Sequence, residues 1–179
     1  MTLAEKLGTT SHLSGLLIKA RRLGMATPEA LESLAVAQGC WHYKHPEMVP
    51  APHVSETQFS NEELAMALLS PCQPYSPHTI RVGAAMLGAT GNDPESLAWL
   101  AVAERCEPQV RYIARAAMGF EPENSFWSHL LALLPDMPEP KDGVMPHPTR
   151  FVSMTGMTRA GVQHVTVWIR PRLALALAH

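Results

Sequence analysis

Apolar residues recur at helical spacing along most of this chain and switch to alternation only near its end. Leu13, Leu16, Leu17, Ala20 and Leu23 form one helical face. Lys19, Arg21 and Arg22 sit where positive charge suits a helix C-terminus, and Gly24 provides a stop. Thr27-Pro28-Glu29 predicts the start of a second helix, because threonine can cap while a proline in the first turn gives up no bond it would have made. That helix runs to Gln38 and is ended by Gly39. Residues 39–58 then carry Pro46, Pro50 and Pro52, which forbid a continuing helix and predict an internal proline-rich loop. Ser60-Asn61-Glu62-Glu63 spells a capping box ahead of NEELAMALL, which stops at Ser70-Pro71.

Downstream, prolines set a rhythm. Pro77, Pro94, Pro108 and Pro122 each stand at or near a predicted helix start, 17, 14 and 14 residues apart, with Ser76 and Asp93 as caps for the first two. Taken in pairs, the spacings are 31 and 28 residues, close to the period of helical-hairpin repeats. The helix SLAWLAVAERC is apolar nearly all round, which suits burial between neighbours. In PQVRYIARAAMGF, Val110, Ile113, Ala114 and Ala117 turn inward and leave Arg111 and Arg115 together outside. SFWSHLLALLP closes the series with Phe126, Leu130, Leu133 and Leu134 on one face. The pattern predicts a mainly α fold, an array of about six or seven short antiparallel helices, helical-hairpin-repeat-like, over residues 1–135.

Residues 136–148 form a proline-rich linker or a tightly held extended arm. Beyond it the period becomes two. Thr149 to Thr155 and Val162 to Arg170 read as strands joined by GMTRAG, so residues 149–179 are expected to be a β-hairpin arm. Val165, Val167 and Ile169 share one strand face and Trp168 lies on the other. A lone hairpin is marginal in water, so this one should dock on the helices, pair with a second copy, or add to another protein's sheet.

Composition narrows the functional classes. The chain has 179 residues, 46% of them hydrophobic and 17% charged, too apolar and too weakly charged for disorder. A net charge of −2 gives no whole-protein attraction to nucleic acid or anionic membrane. Any such binding needs a local patch. Arginine outnumbers lysine by ten to four, and residues 137–179 hold five basic against two acidic side chains. Nucleic acid is therefore an alternative partner, taken by an arginine face of Arg81, Arg111 and Arg115 with Arg159, Arg170 and Arg172 from the arm. The longest apolar run, Leu97 to Ala103, is far short of a membrane span. Three cysteines without an export signal predict reduced thiols and a cytoplasmic location.

Candidate chemistry concentrates in GCWHYKHPEMVPAPH, where Cys40, His42, His45 and His53 are zinc-ligand types. Their spacing contains neither a C-x-x-C pair nor a helical H-x-x-x-H pair, so a partly buried loop without a cofactor is the expectation and a zinc module or metal enzyme the alternative. Nucleophile-elbow, phosphate-loop and zinc-helix motifs are all missing from the chain. Trp99, Trp127 and Trp168 sit in apolar contexts that suit core packing. The expectation is a non-catalytic protein acting by contact with another protein or its own copy, as an adaptor or subunit, with Val165, Val167, Trp168 and Ile169 as the contact residues.

Overall fold

The computed structural model describes residues 1–10, 12–153 and 166–167. Among them are eight α-helices: α1 (Leu3–Leu7), α2 (Gly15–Arg22), α3 (Pro28–Ala37), α4 (Asn61–Leu68), α5 (Pro77–Leu87), α6 (Pro94–Ala103), α7 (Glu107–Phe120) and α8 (Ser125–Leu133). The chain is mainly helical. No helix among the described residues is long and apolar enough to cross a membrane.

The starts follow the capping chemistry. Ser60 accepts from Glu63 N while Glu63 accepts from Ser60 N, completing the expected box. Thr27, Ser76 and Asp93 cap α3, α5 and α6, each followed by proline in the first turn. The short helix α1 was not expected, although Thr2 and Glu5 form a second capping box. It is held to the turn between α4 and α5 by Leu3 N donating to Gln73 O and Ala4 N donating to Pro71 O.

The core gathers on α4 and α5. Leu64 to Leu69 and almost the whole inner length of α5, from Thr79 to Leu87, are buried. α4 packs on α2, α3, α5 and α6, while α8 packs on α6 and α7. Closest approach falls at Gly83, where a Cβ would lie 2.8 Å from Leu69 Cγ and 3.1 Å from Leu68 Cβ. Buried helix ends leave backbone groups unpaired unless side chains reach them. Gln109 Nε2 donates to Leu69 O at 2.8 Å, Gln73 Nε2 to Ala67 O at 3.2 Å, and Asn92 Nδ2 to Met86 O and Leu87 O. At the other polarity, Glu104 receives the Ser14 hydroxyl and, at 3.1 Å, the Leu16 N–H in the first turn of α2.

Several expectations change. Helix α6 is not enclosed: Leu97 and Ala101 face the core, but Trp99 is 71% and Val102 49% exposed. A sequence apolar on every side does not choose which side is covered. At α8 the expected Leu130 and Leu134 are buried, but Trp127 rather than Phe126 fills the core and Leu133 is exposed. The Trp127 indole donates to Glu121 at 2.8 Å, a partner that lets it sit inside. Leu13 precedes the Ser14 cap and is exposed. Arg111 is buried rather than outside. Its guanidinium donates to Pro135 O at 3.2 Å and Asp136 at 3.1 Å, so the expected outer arginine pair is divided between the core and the surface.

Residues 136–148 lie along the helices. Arg115 pairs with Glu139, the Tyr75 hydroxyl donates to Val144 O at 2.8 Å, and the Tyr112 hydroxyl to Pro146 O at 3.0 Å. Val144 and Met145 are buried, as are Phe151 and Val152. Thr149 and Arg150 do not begin a strand, because Pro148 opens a 3₁₀ turn, Pro148–Arg150, capped by His147. Two-residue strands, Val152–Ser153 and Thr166–Val167, pair antiparallel, Val152 opposite Val167. The remainder of the expected hairpin, with Val165, Trp168, Ile169, Arg159, Arg170 and Arg172, lies outside the described residues.

Two stability outcomes follow from the buried ends and the close approach. Gln109→Met leaves Leu69 O only the weak Cys106 thiol at 3.7 Å and should lower unfolding free energy in urea by about 1 kcal/mol. Gly83→Ala gains roughly 1 kcal/mol of helix preference but overpacks Leu69 at about 1–3 kcal/mol, so it should also destabilise. An unchanged urea midpoint for both variants would contradict this account of the core.

Candidate functional site

The proline-rich loop does not assemble a metal site. A 3₁₀ turn, Trp41–Tyr43, directs Cys40 and Tyr43 into the core, while His42, His45 and His53 stay exposed. Burial pushes the Cys40 thiol up to about 12, so it is protonated at neutral pH. Among the described residues no group of three or more His, Cys, Asp or Glu is arranged to hold a metal ion. Among the described residues, Arg81, Arg111 and Arg115 do not share one exposed face either. Arg111 is committed to Asp136 and Arg115 to Glu139, and Arg81 is half-buried on a different helix, its Nε without a partner.

A different constellation stands where α4 and α6 begin side by side. Glu62 Oε1 accepts from Asp93 N at 3.0 Å, so a first-turn carboxylate of α4 holds the residue that caps α6. Asp93 Oδ2 in turn accepts from Ser96 N at 3.0 Å and from the Ser96 hydroxyl at 2.7 Å. Glu63 is tied to Lys19 at 2.7 Å, and Lys19 also lies over the Phe59 ring. Beside them Glu95 is free of any described ion pair and exposed. One turn further along α6 come Trp99 and Leu100.

Together these residues line an open groove of about 590 Å³. Four carboxylates, Glu62, Glu63, Asp93 and Glu95, face it, and Lys19 is bonded to one of them, Glu63. The hydrogen bonds from Ser96 hold the Asp93 carboxyl below the ordinary carboxylate range, with a further contribution from His129, so it is ionised at neutral pH. An exposed indole next to fixed negative charge is chemically suited to a cation: the ring face attracts it through the quadrupole and the carboxylates through charge. Sequence reasoning placed Trp99 in the core and missed this site. Its available signal was the pair of acid-rich helix starts, Ser60-Asn61-Glu62-Glu63 and Asp93-Pro94-Glu95, but nothing in the sequence showed that they are adjacent.

Comparison with protein-family models, with curated proteins and with solved structures finds no match to this chain.

The Asp93 shift has a sign that can be checked. A carboxyl whose pKa is depressed in the folded state contributes stability that is present above the ordinary range and is lost as pH falls through the lowered value. A carbon-detected NMR titration should therefore find Asp93 below an unstructured aspartate, and Ser96→Ala should move it upward. An unshifted Asp93 in the unaltered protein would remove the proposed cap geometry.

Proposed function

We propose that this chain is an adaptor or assembly subunit acting by protein–protein contact, and that the α4–α6 groove receives a basic segment of its partner. The observation that carries this reading is Trp99, 71% exposed beside four carboxylates. Large aromatic side chains on a surface, next to an apolar neighbour such as Leu100 and ringed by charge, have the composition of an interface hot spot with a polar rim. Charge complementarity selects the occupant: a segment bearing Lys or Arg together with an apolar residue. The succession of helix contacts, mostly between consecutive or next-but-one helices, supports an array of the kind that builds extended binding faces.

The C-terminal hairpin arm is the second contact surface of the same reading, supported by the pairing of Val152 with Val167 and Ser153 with Thr166. Because Phe151 and Val152 belong to the core, a truncation that tests the arm should begin after Ser153. Commitment of Arg111 and Arg115 to carboxylates weighs against the nucleic-acid alternative.

A fluorescent peptide alternating Lys, Arg and Leu should bind the full chain, and its affinity should fall with added salt as exposed charges are screened. Trp99→Ala and the double change Glu62→Gln, Glu95→Gln should each weaken it by about tenfold or more. Equal binding of an acidic peptide, or unchanged affinity in the Trp99 variant, would overturn the groove. Loss of binding only on truncation after Ser153 would move the contact to the arm.

A further inference from the structure

On the side of the molecule where α3 and α5 begin, a second and more enclosed cavity of about 550 Å³ lies between α2, α3, the 71–76 turn and α5. Arg21, Met25, Glu32, Cys72, His78 and Thr79 are among the residues that line it. Glu32 is the unusual member. It is 8% exposed, and the described ion pairs give it no lysine or arginine. The Thr79 hydroxyl donates to Oε1 at 2.6 Å, which fixes the carboxylate in place. Oε2 has only His78 Nε2 at 3.8 Å, beyond hydrogen-bond reach, and that imidazole is packed edge-on to Tyr43. A carboxylate largely removed from water is held best where a donor, and above all a cation, completes its bonding. The cavity supplies room for such a group, and the half-buried Leu17 in its wall, with the buried Met25 and Leu31, supplies an apolar surface for an alkyl chain.

We propose that this cavity binds a small molecule carrying a protonated primary amine, with the ammonium donating to Glu32 Oε2 and the alkyl portion against the apolar wall that includes Leu17. A charge-assisted N–H···O⁻ bond inside an enclosed site is among the stronger hydrogen bonds a protein makes. Thr79 is the positioning residue, since it holds the acceptor without occupying the oxygen that faces the ligand. The Ser76 and Thr27 hydroxyls are already used as helix caps, and Glu29, the other carboxylate in the lining, is exposed to solvent, which leaves Glu32 as the buried anionic anchor.

Cys72 provides a reporter built into the wall. It is half-buried, whereas Cys40 and Cys106 are fully buried and burial raises the pKa of both thiols. In the folded protein iodoacetamide should therefore alkylate Cys72 alone. At constant pH and ionic strength, n-butylamine hydrochloride should slow that alkylation saturably, and n-butanol at the same concentration should not. Glu32→Gln, which can still accept from Thr79, should show an apparent affinity for n-butylamine, measured against that variant's own amine-free alkylation rate, reduced by about tenfold or more. Equal slowing by n-butanol, no slowing by the amine, or full protection of the Gln variant would each overturn the proposal. Should the Gln variant fail to fold, the comparison of amine with alcohol in the unaltered chain decides it.

Discussion

Short helices with buried ends must hand their unpaired backbone groups to side chains from elsewhere in the chain, and this requirement organises the fold. Eight residues of α4 cannot hold themselves together in water, and the helix is stable only when enclosed. Enclosure strands the carbonyls of its last turn. Gln109 and Gln73 reach them from α7 and from the turn before α5, while Asn92 does the same for α5. Glu104 performs the opposite service at the start of α2, joining residues ninety positions apart through Ser14. Apolar packing alone would tolerate a rotated or shifted helix. A directional bond to one named carbonyl would not, so these amide and carboxylate contacts fix register where the alanine-rich faces leave it loose.

Charge is spent in a similar way. The buried Arg111 guanidinium requires an acceptor, and Pro135 O with Asp136 provides two. Arg115 pairs with Glu139 on the surface, where an ion pair contributes little by itself. Their joint effect is to lay residues 135–139 along α7, after which the tyrosine hydroxyls hold Val144 and Pro146. Cations consumed by that segment are no longer available at the surface. On the α4–α6 side the acids of two helix starts are left in excess, and a whole-chain charge near neutral conceals a locally negative groove.

Two chemically different environments follow from these choices. The groove beside Trp99 is open, so its carboxylates are solvated and shared with caps, and it suits an extended partner held by many weak contacts. The cavity beside Glu32 is more closed, so that buried carboxylate acts in a medium that weakens charge far less, and it suits a small ligand. Neither could be assembled from one stretch of sequence.

What the sequence determined by itself was local: where helices start, because Ser60 with Glu63, Thr27 with Pro28, Ser76 with Pro77 and Asp93 with Pro94 satisfy their own neighbours within one turn. The inward face of α7 was equally legible, since Val110, Ile113, Ala114 and Ala117 contrast with polar residues around them. The face of α6 was not, and that of α8 only at Leu130 and Leu134, because helices apolar on several sides carry little contrast to read, and the covering of Trp127 but not Trp99 depends on which helices arrive. Arg111 looked like a surface residue because its acceptors lie twenty-four and twenty-five residues away in a segment with no periodicity. Only the tertiary structure could decide which side chains meet, since caps are satisfied within a turn of chain while grooves, cavities and buried ion pairs are made by elements that the sequence holds far apart.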